Sequence, residues 1–529
     1  MCARLSASCR SQSTTSSMKR RPLSQVRGIL RLPLLLLIWG VFAIAMWIPA
    51  VYAVIVDDHQ TSQSFFYSGI VGLTLVTFVG LSISNRVPRY GMPGQLMTLL
   101  ATFVFLPLYL AIPLQDALQN TSYLNAYFDM VSALTTTGAD IFDRPGRVPQ
   151  SVHLWRVLVA WLGGMFMWIA ASAVLAPLSL GGFEVTTRAE PGRSDAILRE
   201  SQRPDPRRKL ILVTRALAPV YAGLTFALAL LLMLCGESGL VAVSHAMSIM
   251  ATSGLSPIGG IGAAQSGLAG EMVMFLFLLF ALSRLTFSSD TVAVGHGRLD
   301  KDPEFRTGML IIIGVPMLLF LRHWIAALEV NASDDWTMAL ASFWGALFTV
   351  TSFLTTNGFE SAYWFSAQEW SGLETPGMIL LGLAVMGGGV ATTAGGVKLL
   401  RVYALYLNGL REMERLVLPS SVSGEGRGNR RLQSNGAFVA WIFFMLFALS
   451  LTLISVALSA FGIPFEQAMI LAVAGLSTTG PLIEAAGQVP IELNLMDAPA
   501  KLILCFAMVL GRLETLAIIA LLSPNLWRN

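Results

Sequence analysis

Four times this chain carries one five-residue phrase directly after a short apolar segment. The copies are Leu134-Thr-Thr-Thr-Gly138, Met250-Ala-Thr-Ser-Gly254, Leu354-Thr-Thr-Asn-Gly358 and Leu476-Ser-Thr-Thr-Gly480. Each reads apolar residue, small residue, threonine (Thr136, Thr252, Thr356, Thr478), small polar residue, glycine. They recur roughly every 100–120 residues, room for two membrane crossings and a re-entrant element. One such phrase is a common way for a membrane half-helix to end. Four in register demand a shared role.

The setting is a membrane. Apolar residues make up 54% of the chain, charged residues 12%, and mean hydropathy is +0.66. A soluble domain carries about 25% charged residues. The four cysteines, Cys2, Cys9, Cys235 and Cys505, form no C-x-x-C pair and imply neither a disulfide framework nor a zinc site. The five histidines are scattered and read as surface or satisfied interior residues. No H-E-x-x-H, G-x-S-x-G or paired intramembrane aspartates mark an enzyme, and nothing calls for a bound cofactor. Residues 1–30 are Ser/Arg-rich without an acid and read as a disordered basic tail, with Met18 an alternative start. The apolar stretch after it is too long for a signal-peptide core and reads as a retained span.

Runs long enough to cross a bilayer lie near 32–54, 65–83, 96–115, 154–180, 210–235, 270–288, 307–328, 376–409, 436–461 and 498–523. Shorter apolar segments at 122–134, 239–250, 338–353 and 464–476 precede the four phrases. They are too short to span and can only enter and turn back. Thr121-Ser122 and Asp334-Asp335 offer capping oxygens, and Pro464 suits a first helical position. The fold expected is an all-α polytopic membrane protein of span–half-helix–filter–span repeats around a pseudo-fourfold pore. Its parts are the tail 1–30, two extra transmembrane helices in 31–95, repeat 1 in 96–182, a cytoplasmic loop 183–209, repeat 2 in 210–306, repeat 3 in 307–434 and repeat 4 in 435–529.

Half-helices dipping in from outside point their negative dipole ends at the membrane centre, where a cation is favoured. The phrases follow there and read as an ion filter of backbone carbonyls: Thr136, Thr137 and Gly138, Thr252, Ser253 and Gly254, Thr356, Asn357 and Gly358, Thr478, Thr479 and Gly480. Glycine is expected to supply the backbone angles and keep the lumen clear, and the threonine hydroxyl to hold the loop through nearby backbone. An all-glycine ring favours the larger, more easily dehydrated K⁺; a Na⁺ or mixed Na⁺/K⁺ conductor of the same fold is the alternative.

A gate is expected at 387–396. Gly387, Gly388, Gly389, Gly395 and Gly396 fall within ten residues, followed by Lys398, a density no helix interior sustains. A broken helix survives at membrane depth only inside protein or beside a water-filled cavity. Arg512, well inside the last span, is expected to face that cavity and find carbonyl partners. Basic residues cluster in the segments 1–31, 84–95, 183–209, 289–306 and 398–434, including Arg203, Arg207, Arg208, Lys209, Arg411, Arg415, Arg430 and Arg431, which puts these and both termini in the cytoplasm. Acids such as Asp140, Glu360, Glu484 and Asp497 gather on the outer side.

Taken together, the phrases, the stretch Gly387-Gly-Gly-Val-Ala-Thr-Thr-Ala-Gly-Gly-Val-Lys-Leu-Leu-Arg401, Trp161-Leu-Gly-Gly164, Arg188-Ala-Glu-Pro-Gly192 and Gly511-Arg-Leu-Glu514 resemble the Trk/Ktr/HKT superfamily of potassium transporters. The two extra N-terminal spans and Ala-Glu-Pro-Gly point to its bacterial TrkH branch. The resemblance covers about residues 30–525. It implies a potassium uptake pore subunit of the bacterial inner membrane, a homodimer with one pore per subunit, gated by the loop after Gly387 with Arg512 beneath the filter. It also implies a separate cytoplasmic nucleotide-binding regulatory subunit (TrkA-like). Gly424-Glu-Gly-Arg-Gly428 does not complete a dinucleotide fingerprint, so nucleotide sensing would belong to that partner. Asn357 and Ser253 depart from the commonest pattern and bear on ion preference.

Overall fold

The computed structural model describes residues 33–83, 92–142, 145–176, 206–283, 302–327, 336–372, 376–417, 434–487 and 491–514. The basic tail, the Ala-Glu-Pro-Gly piece, Asp334-Asp335 and the Gly424–Gly428 stretch lie outside them. Every regular element among the described residues is helical. A chain surrounded by lipid must satisfy its backbone internally, and helices do so within one segment. Among the described residues, eight helices are long and apolar enough to cross a membrane, by length and composition.

Four units each contain three helices in the same order. The leading helices are Met92–Ala117, Pro206–Leu234, Pro303–Ala327 and Ser434–Ala460. The core helices, which end in the phrases, are Tyr123–Leu134, Gly239–Ala251, Trp336–Leu354 and Phe465–Ser477. The following helices are Gln150–Ala170, Gly267–Leu278, Gly377–Met386 and Ala498–Leu513. Each following helix packs on its own core helix and on the core helix of the next unit, and the fourth returns to the first. The chain thereby closes a ring with the core helices innermost. Leu34–Ala45 and Trp47–Ile55 divide near Pro49, which withholds the amide that would bond Ala45. They pack with His59–Ile83 against the first unit.

Several boundaries differ from those expected. The third core helix has 19 residues, enough by length to span, where a short segment was expected. Pro464 stands just before its helix as the cap rather than in its first turn. Two expected spans, 270–288 and 498–523, are not continuous helices. The first tightens into a 3₁₀ turn at Leu279–Leu282, and the second ends at Leu513, where Glu514 takes a positive φ of 63°. In unit one, Gln150–Ala170 gives way to a π-helical turn, Ala171–Leu175. In unit three the helix stops at Met386, with Gly387 at φ 70°, and resumes as Leu399–Val417. So all four following helices change character near their C-terminal ends. The sequence marks only the third, because only there does glycine accumulate.

Glycine explains two of the quoted motifs through close approach. A Cβ on Gly163 would stand 2.2 Å from the Leu134 carbonyl oxygen, and one on Gly511 would stand 2.3 Å from that of Leu476. Both targets open a phrase, so in units one and four the following helix lies directly on the end of its core helix.

Candidate functional site: a ring of four phrases

Each phrase begins as the cap of its core helix. The amides of Thr136, Thr252, Thr356 and Thr478 bond the carbonyl three residues back, at 2.9 to 3.3 Å. The next amides, of Thr137, Ser253, Asn357 and Thr479, reach five residues back to Ser132, Ser248, Ser352 and Ala474, at 2.8 to 2.9 Å. This is the Schellman pattern, which needs a left-handed residue at its hinge and normally takes glycine there. Here the hinge is the threonine, with φ of 54°, 51°, 58° and 54° in the four copies. A β-branched residue in that region is a genuine outlier and costs on the order of 1–2 kcal/mol. Four such hinges in one ring retain a side chain where glycine would relieve strain, a pattern typical of functional sites.

The glycines supply left-handed backbone in three copies and allow close approach in all four. Gly138, Gly254 and Gly358 have positive φ, but Gly480 is absent from the positive-φ residues. What all four share is a neighbour. A Cβ on Gly138 would fall 1.6 Å from the Ser253 carbonyl oxygen, on Gly254 2.2 Å from that of Asn357, and on Gly480 2.1 Å from the Ala139 amide nitrogen. On Gly358 it would meet the Pro481 ring at 2.9 Å. The phrases therefore touch in the order one, two, three, four and back to one.

The threonine hydroxyls bond backbone in two copies and not in the other two. Thr356 Oγ1 accepts from the Gly395 amide at 2.7 Å, and Thr252 Oγ1 donates to the Ala251 carbonyl at 2.8 Å. The Thr136 and Thr478 hydroxyls are buried without a hydrogen-bond partner, so they do not hold their loops by that means.

The segment from Gly387 to Lys398 lies against the core-helix ends of this ring. Thr393 Oγ1 donates to the Met250 carbonyl at 3.2 Å, while Gly395 approaches the Ser477 carbonyl so closely that a Cβ would stand 2.1 Å from it. The loop is thus in contact with units two, three and four. Val397 and Lys398 return their amides to Val385 and Met386 at 2.9 Å, closing a hairpin-like excursion. Lys398 Nζ donates to the Ala394 carbonyl within the same loop. Arg512 Nη1 donates to the Thr393 carbonyl at 2.6 Å, while its Nε and Nη2 have no partner. The neighbouring Glu514 is engaged by Arg401 at 2.7 Å, and that guanidinium stacks on Phe443 with 3.7 Å to the ring centroid. Gly387, Gly388, Gly389, Gly395, Gly396, Lys398 and Arg512 therefore share one region with the phrases.

Residues on the other side of the ring, beyond the phrases, were not singled out as bracing groups. Arg156 pairs with Asp129 at 2.7 Å and Asp140 at 2.8 Å, fixing the strand after the first phrase. His245 Nε2 lies 2.9 Å from Ser256 Oγ after the second. Glu271 accepts from Ser361 Oγ at 2.7 Å, the Ala362 amide at 2.8 Å and Trp344 Nε1 at 2.8 Å after the third. Lys501 Nζ joins Asn125 Oδ1 at 2.8 Å and the Asn494 carbonyl at 2.9 Å, where unit four meets unit one. The signal was available for Arg156 and Glu271: a charge inside an apolar helix, as for Arg512. Glu360, in the loop after the third phrase, is pushed up to about 7, first by burial and then by Glu484 beside it.

A family model described as TrkH, cation transport protein, matches residues 273–528. The Trk system potassium uptake protein TrkH of Halomonas elongata is 31% identical over 511 residues, covering 95% of this chain and all of that one. The chain belongs to the TrkH family. The protein of the same name from Vibrio parahaemolyticus is 30% identical over 413 residues, 78% of this chain and 81% of its own length. The crystal structure of the potassium transporter TrkH from Vibrio parahaemolyticus superposes with a TM-score of 0.77 at 27% identity, over 95% of this chain and 100% of that one. Family membership and the apolar helices make this a multi-pass membrane protein.

Proposed function

We propose that this chain is the K⁺-translocating membrane subunit of a Trk-type uptake system. The observation that carries this reading is the closed ring: four strained threonine hinges turn four phrases toward one another, and one glycine-rich loop lies against their inner ends. In the proposed pathway, carbonyls of Thr136, Thr137, Gly138, Thr252, Ser253, Gly254, Thr356, Asn357, Gly358, Thr478, Thr479 and Gly480 replace the water around a dehydrated K⁺. The core helices add the negative ends of their dipoles. The caps draw on helix carbonyls behind the phrases; of the named carbonyls, those of Thr137, Thr479 and Gly480 accept amides from elsewhere. Loop 387–396 closes the inner end, and Arg512, tied to it at Thr393, sets a positive charge on the ion's route. Opening then requires the loop to leave Thr356, Met250 and Arg512.

The rest of the proposal follows the family. The subunit is a homodimer of the bacterial inner membrane with cytoplasmic termini. A separate cytoplasmic nucleotide-binding subunit moves the loop. Transport rather than catalysis is the role, with no cofactor held by this chain. The deciding experiment is ion flux into proteoliposomes with K⁺, Rb⁺, Na⁺ and Li⁺ compared. The reading expects K⁺ and Rb⁺ to exceed Na⁺ and Li⁺. Equal Na⁺ and K⁺ flux would replace it with a mixed conductor of the same fold, and no flux above empty vesicles would overturn it.

A further inference from the structure

Resting on the reading of 387–396 as a gate, we infer that Glu304 is a positioning residue for that loop, holding its first half in place through Val390. The Val390 amide donates to Glu304 Oε1 at 3.0 Å, and Glu304 is 2% exposed. Glu304 lies in the first turn of the third leading helix. Nothing in the sequence pattern connects it with a loop 86 residues away.

The loop is tied to two different bodies. Its second half is tied to the ring: Thr393 to Met250, Gly395 to Thr356, and the Thr393 carbonyl to Arg512. Its first half is tied elsewhere. The Gly389 amide bonds the Ala281 carbonyl at 3.0 Å, and the Val390 amide bonds Glu304. Ser283 Oγ donates to Asp302 Oδ2, and Asp302 Oδ1 accepts from the Glu304 amide at 3.4 Å. Residues 281–283, 302–304 and 388–390 thus form one hydrogen-bonded knot, at the point where the second unit hands over to the third.

Within the knot, the Gly389 tie is main chain to main chain, whereas the Val390 tie ends on a carboxylate. A carboxylate in so buried a place costs desolvation that a main-chain acceptor would not. In exchange it makes a stronger bond. It also makes a bond that a small shift of the third leading helix lengthens, without disturbing any helical ladder. The position of that helix end is therefore transmitted to Val390. Without the acceptor the Val390 amide would be buried and unsatisfied, and the loop would gain by moving to where the amide meets water.

The test is basal ⁸⁶Rb⁺ uptake by the full chain in proteoliposomes, with no partner protein, for the parent, Glu304→Ala, Glu304→Asp and Glu304→Gln. Glutamine keeps both length and acceptor and removes only the charge. Aspartate keeps the charge and withdraws the acceptor by one methylene. The expected result is the smallest rise for glutamine, which keeps a neutral acceptor, and uptake raised on the order of tenfold for alanine, the shift that loss of a bond to a charged acceptor carries. Aspartate should lie between. If alanine fails to accumulate, aspartate against glutamine decides. A conducting parent with aspartate and alanine variants no more active than itself would overturn the role of Glu304 and leave the proposed function standing. So would variants that track charge alone, with glutamine as active as alanine. Loss of folded protein in all three would make Glu304 a structural anchor and overturn the role as well. No Rb⁺ uptake by the parent or by any of the variants would overturn the underlying function instead.

Discussion

The amide of Gly480 donates to the carbonyl of Thr137 at 2.6 Å, joining the last phrase of the chain to the first. The two residues are more than three hundred positions apart, and their contact closes the ring at the only junction not bridged by a continuous run of units. Nearby, Lys501 of unit four holds Asn125 of unit one. The seam is therefore fastened twice, once through the backbone of the phrases and once through a side chain.

The four glycines will not respond alike to substitution. At Gly138 a side chain strikes main chain of the next phrase, whereas at Gly358 its nearest neighbours are atoms of the Pro481 ring. Gly138→Ala is expected to lower the amount of folded protein severely. Gly358→Ser is expected to accumulate, with reduced K⁺ flux and poorer K⁺/Na⁺ discrimination, since its positive φ still costs roughly 1 kcal/mol. Detergent-solution size-exclusion profiles together with flux ratios test this. Unchanged discrimination in a well-folded Gly358→Ser protein would remove the filter assignment.

Thr356 and Thr136 share a backbone geometry but not a partner. Thr356→Val deletes the acceptor of the Gly395 amide, while Thr136→Val deletes a hydroxyl with no hydrogen-bond partner. Basal Rb⁺ uptake should rise about fivefold for Thr356→Val, the effect of one hydrogen bond of about 1 kcal/mol. Thr136→Val should leave the closed state as in the parent. Equal effects would mean that the loop is not held by the third phrase.

Arg156 is buried between two carboxylates. Arg156→Leu leaves the Asp129 carboxyl buried without its partner, which is expected to cost about 3–5 kcal/mol. Thermal unfolding in detergent should show the loss. Adding Asp129→Asn should recover a substantial part of it, and a double variant no more stable than the single one would argue against the ion pair as the brace.

Glu360 carries the pH prediction. Burial and Glu484 raise its protonation midpoint to about 7, so its negative charge appears above that pH and is lost below it. In the proposed orientation Glu360 stands at the outer mouth of the pathway, where a negative charge concentrates cations. Uptake at low K⁺ and low ionic strength should therefore rise as external pH increases through about 7, and Glu360→Gln should flatten that step. A step of equal size in the variant would assign it to another group.

How much of this was legible beforehand depends on where the cause of each feature lies. The core-helix ends at 134, 251, 354 and 477 follow from apolar segments meeting a small polar phrase, and they were readable to within a residue or two. The break after Met386 was readable because glycine density is a local property. The breaks at Leu279 and Leu513 were not. There the residues are ordinary helix formers, and the helix ends meet loop 388–390 and Arg401, which lie far off in sequence. The left-handed threonines were invisible for the opposite reason, since intrinsic preference argues against them. Arg156 and Glu271 carried the same signal as Arg512 and could have been found by it. Their partners, Asp140 and Ser361, could not, because only the folded ring brings them within reach.

Each phrase is backed by different chemistry: an ion pair behind the first, a histidine and serine behind the second, a glutamate behind the third, a proline at the end of the fourth. A ring built from four identical chains would take every substitution four times over, so that any change to one wall is a change to all. In a ring encoded along one chain, a single codon alters one wall and spares three. A change can therefore be taken up at one wall at a time, and the walls are unequal: that of Gly358 faces a proline ring where that of Gly138 faces backbone.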